Sequence, residues 1–179
     1  MRATLPSELS DFPAVAAGLH RGDFTRLDPL FAEPPGPLSL LTSWIAEGRF
    51  AADPAALNEA VACACFNGRT SWVADLLDRG ADLLAGSGTG LNGFHWAANR
   101  GRLETVHLLL ERRMPLETRN AYGGTVLGGT VWAAVHEPRP THRAIIEALL
   151  TAGADVNEAE YPSGDAEVDR LLERSGARG

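Results

Sequence analysis

The chain has 179 residues, 45% hydrophobic and 22% charged, the proportions of a folded domain with a buried core and not of a disordered segment. Sixteen basic residues against 23 acidic ones leave a net charge of −7, which repels phosphate backbones and argues against a nucleic-acid ligand. No run approaches the ~18 consecutive apolar residues of a membrane span, and the start MRATLPSELSDFP lacks the basic-then-apolar order of a secretory signal.

Every basic residue is arginine, and alanine is abundant; that codon bias points to a GC-rich bacterial genome. Cys63 and Cys65 are too few for a disulfide framework. Two residues apart on a helix, they point about 200° away from each other and would not chelate one metal. A reducing cytoplasm is the expected compartment.

In chain order, HRGDFTRLDPLF (20–31) places Gly22, Leu27, Leu30 and Phe31 as Gly68, Val73, Leu76 and Leu77 are placed 46 residues later. Residues 12–33 therefore read as a degenerate first unit. PPGP (34–37) breaks the chain, and PLSLLTSWIAEGRF then predicts an inserted helix near 38–47, within an insert of 34–50. From there the sequence repeats. A shift of 33 pairs Ala64 with Ala97, Gly68 with Gly101, Val73 with Val106, Leu76 with Leu109, Gly90 with Gly123 and Asn92 with Thr125. The units run over 51–89, 90–122 and 123–157. Within the second, small residues in FHWAANRG (94–101) permit a close helix neighbour, Gly101 ends that helix, and RLETVHLLLERR carries Leu103, Val106, Leu109 and Leu110 at 3–4 spacing. In the third unit the Leu-Leu pair returns at 149–150, seven residues late. The extra residues fall in HEPRPTH (136–142), whose prolines forbid one continuous helix, so helices are expected near 126–135 and 141–152. Residues 158–179 read as a C-terminal cap: a short helix near 165–174, capped by Ser163 or Asp165, closes the last face with Val168, Leu171 and Leu172.

This pattern resembles the ankyrin repeat, a unit of 33 residues built as a β-turn followed by two antiparallel helices. RGADLLAGSGTGLNGFHWAANRGRLETVHLLLERR follows that order, and TAGADVN (151–157) is close to its end-of-unit signature. The resemblance implies an all-α solenoid of helix–turn–helix repeats, with short β-turn or hairpin connections and atypical caps. The family's Thr-Pro-Leu-His start appears here as Asn92-Gly93-Phe94-His95, as Thr125-Val126-Leu127-Gly128 and as Glu59-Ala60-Val61-Ala62. Only His95 keeps the histidine that ties adjacent turns, so looser turns are expected at the other two.

Three constellations suggest chemistry and each has a plainer reading. Gly88-Thr-Gly90-Leu-Asn-Gly93 spells GxGxxG, but no strand precedes it, and a Gly-rich hairpin suffices. His136, Glu137 and His142 depart from the metal-binding HExxH spacing, with prolines between them; a solvated loop suffices. Cys65 stands where the second unit has Ala98 and reads as a small buried hydrophobe. No nucleophile elbow is present. Neither a cofactor nor a metal is expected.

Stacking turns repeat position into a spatial column, and the resemblance implies that the two positions before the helix-ending glycine face partners. Here they hold Phe66-Asn67, Asn99-Arg100 and Trp132-Ala133, with His20-Arg21 as a weak counterpart. Aromatic residues and arginine dominate interface hot spots. Phe66, Asn67, Asn99, Arg100 and Trp132 are therefore the candidate binding column, unless the helix at 38–47 covers Phe66 and the loop at 136–142 covers Trp132. The hairpin tips give a second candidate surface: Ser87, Gly88, Thr89 and Leu91 match Asn120, Ala121, Tyr122 and Gly124, with Thr89, Leu91 and Tyr122 as its contacts. The expected function is non-catalytic binding of a protein partner through the concave face, with acidic surroundings steering a partner of basic character. Self-association through the same column, or a small-ligand or metal-dependent enzyme using the loop at 136–142, are the alternatives.

Overall fold

The structure, a computed structural model, describes residues 6–85 and 88–178; Ser87 lies outside them. Asp11 accepts the Ala14 N–H at 3.1 Å to start α1 (Phe12–Arg21), and Gly22 turns the chain into the short α2 (Phe24–Leu27). Val15, Leu19, Phe24, Leu27, Leu30 and Phe31 are all buried. Leu27 and Leu30 stand 46 residues before Val73 and Leu76, which are also buried. Ser39 caps α3 (Leu40–Ala46), which buries Leu41 and Trp44, with Trp44 edge-on to Phe12 at 5.4 Å.

The first full unit departs from the expected pattern. Asp53 accepts the Ala56 N–H at 3.1 Å, and Pro54 supplies a preset first helical residue. Helix α4 (Pro54–Asn67) therefore begins well before the position where the later units start, and Glu59-Ala60-Val61-Ala62 lies inside it rather than in a turn. Helix α5 (Thr70–Asp78) follows. Next come α6 (Gly93–Asn99) with α7 (Leu103–Glu111), then α8 (Val126–His136) with α9 (His142–Thr151). Asn92 and Thr125, paired by the repeat, are the N-caps of α6 and α8, accepting the His95 and Gly128 N–H groups at 3.0 and 3.2 Å. Gly68 and Gly101, at φ near +70°, reverse the chain between the two helices of their units in a conformation that L side chains resist.

The result is an all-α solenoid. Helices α1, α4, α6 and α8 form the inner row, and α5, α7 and α9 pack side by side behind it. Val73, Leu76, Val106, Leu109, Ile145, Ile146 and Leu149 fill the seam. At the far end, Asp165 accepts N–H groups from Glu167 and Val168 at 2.9 Å to start α10 (Ala166–Arg174). That helix buries Val168 and Leu172 against α9.

Glu59 occupies the column position of the two N-caps but is only 6% exposed. Its Oε1 accepts the Gly88 N–H at 3.2 Å, while Oε2 has no partner among the described residues. Burial pushes the carboxyl above its ordinary 4.5. The folded state thus holds its proton more tightly than the unfolded chain, and stability is lost as pH rises above 4.5. At pH 7, Glu59→Gln is expected to raise the unfolding free energy by about 1 kcal/mol, because a neutral amide is cheaper to bury than a carboxylate. Chemical unfolding at several pH values checks this: the advantage should shrink toward nothing as pH falls below 4.5.

Candidate functional site: an aromatic cleft on the inner helices

The hairpin tips and the inner helices enclose one open cleft of about 560 Å³. Its walls carry Leu91 and Tyr122 from the tips, Trp96, Asn99 and Arg100 from α6 and the residue after it, and Trp132 from α8. Two surfaces that the sequence separates, the column and the tips, therefore meet in one site. The floor is α8, where Gly128 and Gly129 present no side chains. Gly128 is also required by packing: a Cβ there would stand 2.6 Å from the Glu158 carbonyl oxygen. The histidine of the family's turn has no room at this position.

Each candidate is held differently. Trp132 stacks on His136, centroids 4.6 Å apart and 13° from parallel, yet is 49% exposed, so the segment at 136–142 covers it only in part. Most of the late Leu-Leu spacing is taken up by helix: α8 has 11 residues against 7 in α6. Trp132 consequently sits mid-helix, on a rigid base. Tyr122 is 80% exposed at the hairpin tip. The tip is tied down by the Ala121 N–H donating to Gly90 O at 2.8 Å and by Asn120 Oδ1 accepting from Tyr122 and Gly124 N–H. Thr89 does not line the cleft; its hydroxyl accepts the Trp96 indole N–H at 3.1 Å and fixes that ring.

Phe66 is half-buried and stands behind the cleft. Phe24 and Trp96 pack edge-on to it at 5.6 and 5.0 Å, and the Arg100 guanidinium carbon lies 4.5 Å over its ring. It is covered from α2 and α6, not by the inserted helix. Asn67 points elsewhere: its amide donates to Phe24 O and Cys63 O at 2.9 and 3.1 Å, joining the first pair to α4. Asn99 Oδ1 and Arg100 Nε, both buried, have no hydrogen-bond partner among the described residues.

Trp96, Glu137 and the two glycines of α8 are site residues that sequence reasoning missed. A signal for Trp96 exists. It lies three and four residues before Asn99 and Arg100, hence on the same helix face.

The other constellations do different work. The His95 ring bridges consecutive turns, Nε2 lying 3.1 Å from Gly124 O and Nδ1 2.8 Å from Asn92 Oδ1, and burial lowers its pKa. His142 accepts the Arg139 N–H at Nδ1 and donates from Nε2 to Asn99 O at 2.9 Å; burial lowers its pKa as well. His136 lies at the surface, donating from Nδ1 to Trp132 O at 2.9 Å. These histidines and Glu137 do not converge, and no group of three His, Cys, Asp or Glu side chains among the described residues is placed to hold a metal. Cys63 and Cys65 are free and fully buried, and burial raises both thiol pKa values. Among the described residues GxGxxG follows a helix and a turn, without the strand a dinucleotide site needs. No described helix is long and apolar enough to cross a membrane.

Comparison with known proteins agrees with this architecture. A family model described as ankyrin repeats (3 copies) matches residues 57–160. A curated relative, named a probable E3 ubiquitin-protein ligase XBOS33 from Oryza sativa subsp. japonica, is 37% identical over 76 residues, 42% of this chain. The match spans only 13% of that relative's length. Ankyrin repeats are generally protein–protein interaction modules and typically not enzymes. With an all-helical solenoid, repeat-related N-caps and a family match over more than half its length, this chain belongs to the ankyrin-repeat family.

Proposed function

We propose that the chain is a non-catalytic binding module whose concave cleft receives a protein partner. The observation that carries this reading is the exposure of Trp132 and Tyr122, two of the three large hydrophobic side chains exposed among the described residues, beside the unsatisfied Asn99 and Arg100. An indole half in water on a rigid helix loses little conformational freedom on binding, and its burial supplies apolar contact where interfaces gain most. Leu91, Trp96 and Trp132 would take an apolar side chain of the partner, with Asn99 and Arg100 hydrogen-bonding beside it. Phe66 and Thr89 support the wall, holding Arg100 and Trp96 in place. The buried thiols are consistent with a reducing compartment such as the cytoplasm, and the arginine-only composition with a bacterial source. The experiment is partner binding by Trp132→Ala, compared with a substitution at His107 on the opposite face.

A further inference from the structure

Three arginines, none in an ion pair among the described residues, gather around Gly101, and one of them, Arg100, lines the cleft. Gly101 separates Arg100 from Arg102, and the Arg139 side chain passes over it, its Cδ 3.1 Å from where a Cβ of Gly101 would stand. Arg102 lies likewise over Gly68, its Nε donating to Phe66 O at 2.9 Å. Arg69, one repeat before Arg102, is neutralised by two bonds of 2.8 Å to Asp28. By contrast, Arg100, Arg102 and Arg139 form no ion pair with any described residue, and Nε of Arg100 and of Arg139 is buried without an acceptor. Burial and neighbouring arginines lower the pKa of Arg100 and of Arg102, against the opposing pull of Glu137 on the first and Asp28 on the second.

Three arginines without an ion pair, in a chain of net charge −7, favour an anion locally, with Glu137 and Asp28 offsetting part of their charge. Guanidinium groups match the planar fork of a carboxylate. Glu137, on the rim of the same cleft, opposes a doubly charged phosphate more than a singly charged carboxylate.

We propose that the Arg100–Arg102–Arg139 cluster reads an acidic side chain of the partner, so that the segment taken is an extended peptide with an Asp or Glu close to a large apolar residue seated between Trp96 and Trp132. This rests on the cleft being the partner site. Long-range attraction of a basic partner to the acidic surface does not oppose it, because the acid is read locally, beside Arg100.

The test is selection of a phage-displayed random dodecapeptide library on the full chain, followed by titration of the synthetic consensus peptide. The expected consensus holds an acidic residue within a few positions of an aromatic or long aliphatic one. Neutralising that acid (Glu to Gln or Asp to Asn) should weaken binding about 10-fold to the wild type. On an Arg100→Gln/Arg139→Gln variant, confirmed folded by its thermal transition, the same change should cost less than about 2-fold. Arg102 is left intact because it holds Phe66 O. A consensus without an acid, a basic consensus, a failure to select any peptide, or an undiminished loss in the double variant overturns the proposal. If the peptides bind Trp132→Ala as well as wild type, the cleft assignment itself fails. If Trp132→Ala abolishes binding but the acid is irrelevant, only the arginine subsite fails.

Discussion

Replacing Trp132 with alanine is expected to weaken partner binding by about 2–4 kcal/mol, roughly 30- to 1,000-fold in Kd, while leaving the fold nearly as stable as before. The two effects separate because of where the ring lies. Half of Trp132 is in water in the free chain, and its main neighbour is the His136 ring stacked on it, so truncation removes little core packing. On binding, the exposed half of the ring is apolar area on a rigid helix that a partner can cover. Titration calorimetry alongside thermal unfolding checks both halves. His107→Ala, an exposed change on the outer row, should leave Kd and unfolding within error of wild type.

Trp72→Ala is expected to have the largest effect on stability, about 3–5 kcal/mol, against a total of about 5–15 kcal/mol for a domain. Trp72 is 1% exposed, packs edge-on to Phe31 at 5.9 Å and donates its indole N–H to Glu33 O at 2.7 Å. It therefore fastens residues 28–33 to α5. Truncation leaves both a cavity and a carbonyl without its donor. Urea unfolding at constant slope measures the loss. A cost below about 1 kcal/mol would mean that residues 28–33 are not integral to the core.

Much of the fold was legible because the repeat and the helical period reinforce each other. Val73, Leu76, Val106 and Leu109 recur at the same shift and are all fully buried, and Asn92 and Thr125 recur because both cap helices. The beginning of α4 was obscured for the opposite reason. The repeat template draws attention to Glu59, whereas the local signal, an Asp-Pro start at 53–54, lies outside the template and prevails.

Of the column residues, Asn99, Arg100 and Trp132 line the cleft, and the cover that sequence reasoning allows for Phe66 comes from a different helix than the inserted one. Phe66 is walled in by Phe24, which belongs to a unit whose sequence is too degenerate to show that a ring would land there. Asn67 is drawn inward by two carbonyls that only the packed α2–α4 corner brings together. Trp96 lies outside the two column positions although it shares their helix face. Joining the tips to the column in one cleft depends on how far the hairpins lean over the inner helices, which one-dimensional spacing does not encode.

The most direct test of the cleft is the set of four tryptophan indole N–H signals in a 15N-labelled sample titrated with a purified partner segment. Trp96 and Trp132 line the cleft, while Trp44 and Trp72 are buried elsewhere and serve as internal references. The cleft assignment predicts that the Trp96 and Trp132 signals shift saturably and together, with the other two unmoved. A bound segment that leaves Trp96 and Trp132 in place, or signals that move with protein concentration before any partner is added, would contradict it.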